Sequence, residues 1–125
     1  MVISLSSSTP SPRRGEVWQV DFNPTKGSEI KKIRPAVVVS SDAIGMLPIK
    51  LIAPITTWNE SFASKLWLVK IEPSETNGLT KESVVDTLQI RCADVQARFI
   101  KKIGMLPSTI MEEIAASIAI IVEYQ

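Results

Sequence analysis

The sequence contains no histidine and a single cysteine, Cys92. Those two absences exclude a histidine-based catalytic triad, a Cys/His zinc site and an internal disulfide. Charge of one sign is missing too: 14 Lys and Arg face 13 Asp and Glu, for a net charge of +1. That balance excludes the broad basic field of a histone-like protein or a polybasic membrane binder, so any nucleic-acid contact has to be local. No apolar run reaches the ~18 residues needed to span a bilayer, and VISL near the start is too short for a signal-peptide core and lacks a basic leader. The expectation is a cytoplasmic protein with no metal or other cofactor and no membrane partner. With 125 residues, one domain with one core and an open site is expected.

What is present reads as short strands followed by a helix. Residues 1–12, MVISLSSSTPSP, are rich in Ser and Pro and offer little to bury, so they are expected to form a flexible N-terminal tail, with a single domain over 13–125. EVWQVDF alternates as a first strand. RPAVVVSS is a second, opened by Pro35 where a missing N–H does not break a ladder. IKLIAPITT is a third, in which Pro54 predicts a bulge or an edge position. KLWLVKI, SVVDTLQIRCADV and FIKKIG complete six strands. A helix follows Pro107, with a capping box from Thr109 to Glu112 and an apolar face of Ile110, Ile114, Ile118 and Ile121. This order predicts a mainly β fold with a C-terminal helix, either a small antiparallel barrel or a flat sheet on the helix, and the barrel is favoured. Successive apolar residues in the second and third strands imply that both faces are covered, by curling of the sheet or by a second copy of the chain.

The stretch FNPTKGSEIKKIRPAVVVSS runs a charged loop directly into a buried strand. Arg34, at the junction, either pairs with Glu29 or Asp21 or offers its fork to phosphate oxygens. Thr56 ends the third strand just past the proline break, where its hydroxyl is either an ordinary strand-end group or aimed at a site. Thr57 points the other way. Glu29 is either a solvated loop charge or a general base beside Lys26, Lys31 and Lys32. Gln89 and Arg91 alternate on the fifth strand and are expected to share a face, which is either an ordinary polar outer face or one that reads base edges and phosphates. Trp58, in the turn after Thr56, is the best aromatic for stacking on a base.

Taken together, RRGEVWQVDFNPTKGSEIKKIRPAVVVS, then IAPITT, then SVVDTLQIRCAD resembles the MazF/PemK family of type II toxin–antitoxin toxins, from about Arg13 to the end of the chain. The opening G-[DE]-[IV]-W pattern, followed by the N-P-T-x-G-S-E loop and R-P five residues after the Glu, is restrictive. The resemblance implies an SH3-like antiparallel barrel that forms a homodimer and a sequence-preferring, metal-independent endoribonuclease acting on single-stranded RNA. It also implies neutralisation by a cognate antitoxin encoded beside it. Matched position by position, it makes Arg34, Thr56 and Glu29 the catalytic candidates. Ser28, Lys31, Lys32, Thr57, Trp58, Gln89 and Arg91 are the RNA-binding candidates. Two positions depart from the pattern: Ser28 stands where some relatives have His, and Leu88 where some have an acidic residue before the Gln. The competing expectations are a non-catalytic toxin resembling CcdB, which poisons gyrase on the same kind of barrel, and a homologue that binds RNA or antitoxin without cutting.

Overall fold

The computed structural model describes residues 11–124. Residues 1–10 of the expected tail lie outside the described residues; Pro12, the last of that segment, has a fully buried side chain. The strands are β1 (Glu16–Asp21), β2 (Ile33–Val38), β3 (Ile49–Thr57), β4 (Leu68–Ile71), β5 (Ser83–Asp86), β6 (Arg91–Asp94) and β7 (Phe99–Met105). Two helices, α1 (Val95–Arg98) and α2 (Ser108–Ile121), complete the fold. All pairings are antiparallel, in the order β4-β5-β3-β2-β1-β7, with β6 also paired to β3. No helix among the described residues is long and apolar enough to cross a membrane.

β3 organises the sheet. One edge pairs with β2; the other pairs with β6 over Ile49–Ile52 and with β5 over Ile55–Thr57. Pro54 falls in the gap between those two ladders, so its missing N–H breaks neither, and it sits inside a continuous nine-residue strand rather than at a bulge or on an edge strand. The expected fifth strand over 83–95 is two strands. Asp86 accepts the Leu88 N–H at 3.1 Å and starts a 3₁₀ turn over Thr87–Gln89, which swings the chain so that β6 reaches the other half of β3. Asp94 then caps α1 through the Ala97 N–H at 2.8 Å, a helix the strand pattern did not suggest.

Both faces of the sheet are buried by the chain's own residues. On one, Val17, Val37, Ala53, Ile55 and Val85 pack with Leu106, Met111 and Ile114 under α2. On the other, Trp18, Val20, Ala36, Val38 and Ile52 pack with Ala93, Val95 and Phe99 of the β6–α1–β7 segment. Each fully buried aliphatic of this kind contributes about 1.5–3 kcal/mol. α2 starts at Ser108 with Pro107 as its N-cap and no side-chain cap bond, so the expected Thr109–Glu112 box is not made. Ile110, Ile114 and Ile118 face the core as expected. Ile121 is only half-buried, and the inner face carries Met111 and Ser117 instead. Ser117 lies under the helix because its Oγ donates to the Leu66 carbonyl at 2.7 Å and meets Thr87 Oγ1 at 3.2 Å.

The sheet's two ends meet through a loop. The segment after β4 lies against β7, where the Met105 N–H donates to the Thr76 carbonyl at 2.9 Å. Gly78, with φ +71°, packs on the Ile103 backbone, and Gly104 packs on the Asn77 backbone; neither place has room for a Cβ. Buried Asn77 organises that loop, accepting from Ser74 and Leu79 N–H and donating to the Glu72 carbonyl. The antiparallel sheet and C-terminal helix match expectation. Among the described residues no strand ladder joins β4 or β6 to β7, so the ends meet through this loop.

Candidate nucleic-acid site

Register alone brings two candidates together. Ala36 of β2 lies opposite Pro54 of β3, so two residues further along the antiparallel pair Arg34 comes beside Thr56. The Arg34 Nη1 to Thr56 Oγ1 distance is 3.4 Å, and Arg34 Nε donates to the Lys31 carbonyl at 2.9 Å. Neither carboxylate expected as a partner reaches Arg34. Glu29 Oε1 accepts the Lys26 N–H at 2.7 Å and Asp21 Oδ1 accepts the Asn23 N–H at 2.9 Å. Among the described residues no carboxylate lies within 4.0 Å of the Arg34 guanidinium. A half-buried cation that is held in place but not neutralised is suited to an oxyanion.

The charged loop between β1 and β2 is fastened at its base and at one point near its far end. The Phe22 N–H donates to the Lys32 carbonyl and the Lys32 N–H to Asn23 Oδ1. Arg98 Nη1 donates to the carbonyls of Asp21 and Asn23 at 2.9 and 2.8 Å. Further out, the Ile30 N–H donates to Gln89 Oε1 at 2.7 Å. Between the loop and the 3₁₀ turn lies an open groove of about 730 Å³, lined by Ser28, Glu29, Ile30, Pro54, Leu88, Gln89, Arg91 and Cys92 among others. Its size and openness suit an extended strand rather than an enclosed small molecule.

The remaining candidates separate. Lys31, Lys32 and Thr57 are exposed. Trp58 is outside the groove: its ring carries the Lys70 ammonium at 4.6 Å and meets Phe62 edge-on at 6.2 Å, so one stacking face is already covered. Gln89 stands on the 3₁₀ turn and not on a strand with Arg91, so the expected shared strand face does not exist. Both ends of the Gln89 amide are engaged, since Nε2 donates to Asp86 Oδ2 at 3.2 Å. Arg91 lines the groove with its guanidinium turned partly to the Phe22 carbonyl, 3.5 Å away. Two residues were missed in the sequence. Arg98 gave no signal because α1 was unforeseen. Asp86 was legible only as a turn-forming Asp in the D-T-L-Q stretch. Burial pushes the Asp86 carboxyl above its ordinary range, against the opposing hydrogen bonds from Leu88 and Gln89.

Residues 13–122 match the family described as the PemK-like, MazF-like toxin of type II toxin–antitoxin systems. The chain belongs to that toxin family. Among its relatives, endoribonuclease MazF9 of Mycobacterium tuberculosis is 35% identical over 99 residues, covering 74% of this chain and 80% of the relative. Endoribonuclease toxin ChpB of Escherichia coli is 32% identical over 113 residues, covering 88% and 93%. Among solved structures, MazF from Deinococcus radiodurans superposes with a TM-score of 0.76 at 22% identity, over 91% of this chain and 98% of that one. A mycobacterial endoribonuclease in complex with its cognate antitoxin superposes at 0.71 with 19% identity, over 91% and 97%. At these identities the structures establish a shared fold, and the PemK/MazF assignment rests on the family match and the curated relatives.

Proposed function

We propose that the chain is a metal-independent endoribonuclease toxin that cleaves single-stranded RNA in the cytoplasm and is restrained by an antitoxin. The observation that carries this reading is the Arg34–Thr56 pair, with no carboxylate on the guanidinium among the described residues; the open groove, though not lined by the pair itself, is lined by Ile30 of the same loop and Pro54 of the same strand. RNA brings its own nucleophile. The 2′-oxygen attacks phosphorus, the P–O5′ bond breaks, and a 2′,3′-cyclic phosphate and a 5′-hydroxyl result; the enzyme has to align the strand and hold the charge that builds on phosphate.

In that scheme Arg34 binds the non-bridging oxygens as they gain charge, and Thr56 Oγ1 donates to the same phosphate. Glu29 does not orient Arg34, a task taken by the Lys31 carbonyl. As a groove-lining carboxylate it is the proposed acceptor of the 2′ proton. Ser28, Lys31, Lys32 and Arg91 provide local contacts to the strand, consistent with a net charge too small for binding at a distance.

A homodimer with barrel-like subunits is part of the same proposal. Its support is an apolar groove of about 410 Å³ lined by Ile44, Leu47, Ile49 and Leu51, all exposed in the single chain. Cys92 borders both grooves, so a partner seated there adjoins the RNA groove. An acidic, extended antitoxin segment would compete with RNA for the basic loop.

The test is incubation of a long unstructured RNA with the purified chain in excess EDTA, followed by mapping of the termini. Discrete cuts with 5′-hydroxyl ends, absent with Arg34→Ala, are expected. A folded wild type that leaves the RNA intact overturns the proposal.

A further inference from the structure

An unbroken line of contacts runs from Asp86 to Thr56. Gln89 Nε2 donates to Asp86 Oδ2 at 3.2 Å, and Gln89 Oε1 accepts the Ile30 N–H at 2.7 Å. One residue on, the Lys31 carbonyl accepts Arg34 Nε at 2.9 Å, and Arg34 Nη1 faces Thr56 Oγ1 at 3.4 Å. Within residues 24–30 of the loop, the other hydrogen bonds join Lys26 and Glu29 to each other. The Gln89–Ile30 bond therefore ties this part of the loop to the body of the protein.

The direction of the line is set at Asp86. An ionised carboxylate only accepts, so the Gln89 amide has to turn its NH₂ toward Asp86 and its oxygen toward Ile30. The other Asp86 oxygen is occupied by the Leu88 N–H at 3.1 Å. We propose that Asp86 and Gln89 are positioning residues that, through the Ile30–Lys31 segment, hold Arg34 in place against Thr56. This rests on the ribonuclease reading above for its effect on catalysis, but the line itself belongs to the free protein.

An Asp86→Asn change reverses the line. The single oxygen of the new amide stays on the Leu88 N–H, its NH₂ then faces Gln89, and Gln89 must turn its oxygen inward, leaving a donor against the Ile30 N–H. Gln89→Glu alone places two carboxylates face to face. The double change D86N/Q89E restores an acceptor for every donor: the amide introduced at position 86 donates to one oxygen of the carboxylate introduced at position 89, and the Ile30 N–H takes the other. Total charge is unchanged from wild type.

The experiment measures hydrogen exchange of the Ile30 amide by NMR, together with kcat and KM on the mapped RNA, for wild type, D86N, Q89E and D86N/Q89E. Thermal melts establish that each is folded. Ile30 exchange should accelerate about tenfold in D86N, with kcat falling by a similar factor, and both should return toward wild type in the double variant. Unchanged Ile30 exchange in D86N, or a double variant no better than the single ones, overturns the proposal. A wild type that protects Ile30 but cuts no RNA overturns the ribonuclease reading instead, and the exchange rates of the three variants then decide the line by themselves.

Discussion

Arg34 Nη1 lies 3.4 Å from Thr56 Oγ1 across the β2–β3 ladder, with no carboxylate on the guanidinium among the described residues. Strand register places the two Cα atoms, and the Lys31 carbonyl aims the side chain. A cation desolvated on one side and left unpaired costs stability in the free protein, and a phosphate recovers that cost on binding.

Arg34→Ala is expected to lower kcat for RNA cleavage by about 10²–10³-fold, the range for losing one preorganised donor to a developing oxyanion. Arg34→Lys should rescue little, because an ammonium keeps the charge and loses the fork. Thr56→Val, which keeps the β-branched shape, should cost about tenfold in kcat with little change in melting temperature. Single-turnover kinetics on a short RNA read all three.

Lys31 and Lys32 are exposed beside Arg34. Replacing either by Gln should weaken RNA binding and reduce the slope of log affinity against log salt by about 0.7, the value for one phosphate contact on a single strand, with kcat nearly unchanged. Fluorescence anisotropy at several salt concentrations provides the slopes. An unchanged slope removes that lysine from the contact set.

Gly104 has the Asn77 backbone where a Cβ would stand. Gly104→Ala is expected to destabilise the fold by about 2–3 kcal/mol through overpacking, because the obstruction is backbone and not a side chain able to turn away. Chemical denaturation measures it, and a loss below about 0.5 kcal/mol would mean that the loop–β7 contact gives way easily.

Glu16 supplies a pH-dependent contribution of known sign. Burial works against its charge, but hydrogen bonds from the Arg13 N–H and the Trp18 indole, with Lys102 at 3.1 Å, prevail and hold the carboxyl below its ordinary 4.5. A depressed folded-state value means stabilisation that is fully present above 4.5 and lost as pH falls through the lower folded value. Glu16→Gln should therefore melt lower than wild type at neutral pH, by the equivalent of about 1–3 kcal/mol, and the two curves should converge in acid. Melting curves across pH 2–8, an interval of roughly six units around carboxylate titration, test this.

The parts of the fold legible in the sequence were those set by local pattern. Alternation indicated β1 and β4, the β-branched run after Pro35 indicated β2, and periodicity found α2. The R-P junction and the strand end at Thr56 located the pair that the structure brings together. The misses came from side-chain-to-backbone bonds with no periodic signature. Asp86 turned one expected strand into two, and Asp94 started α1 and so placed Arg98 on the loop base. Gln89 was misread for the same reason: strand alternation assigned it a face, while the 3₁₀ turn gave its amide two partners inside the protein. Trp58 looked free in sequence because Lys70 lies on β4, a separate strand.

The most direct measurement uses an RNA oligonucleotide spanning a mapped cut, with a single 2′-deoxynucleotide placed immediately 5′ of the scissile phosphate. If Arg34 and Thr56 serve a reaction whose nucleophile is the substrate's own 2′-hydroxyl, the all-ribose strand is cut and the substituted strand is bound but left intact. Cleavage of both strands at similar rates would contradict the account and require a nucleophile other than the substrate's 2′-hydroxyl.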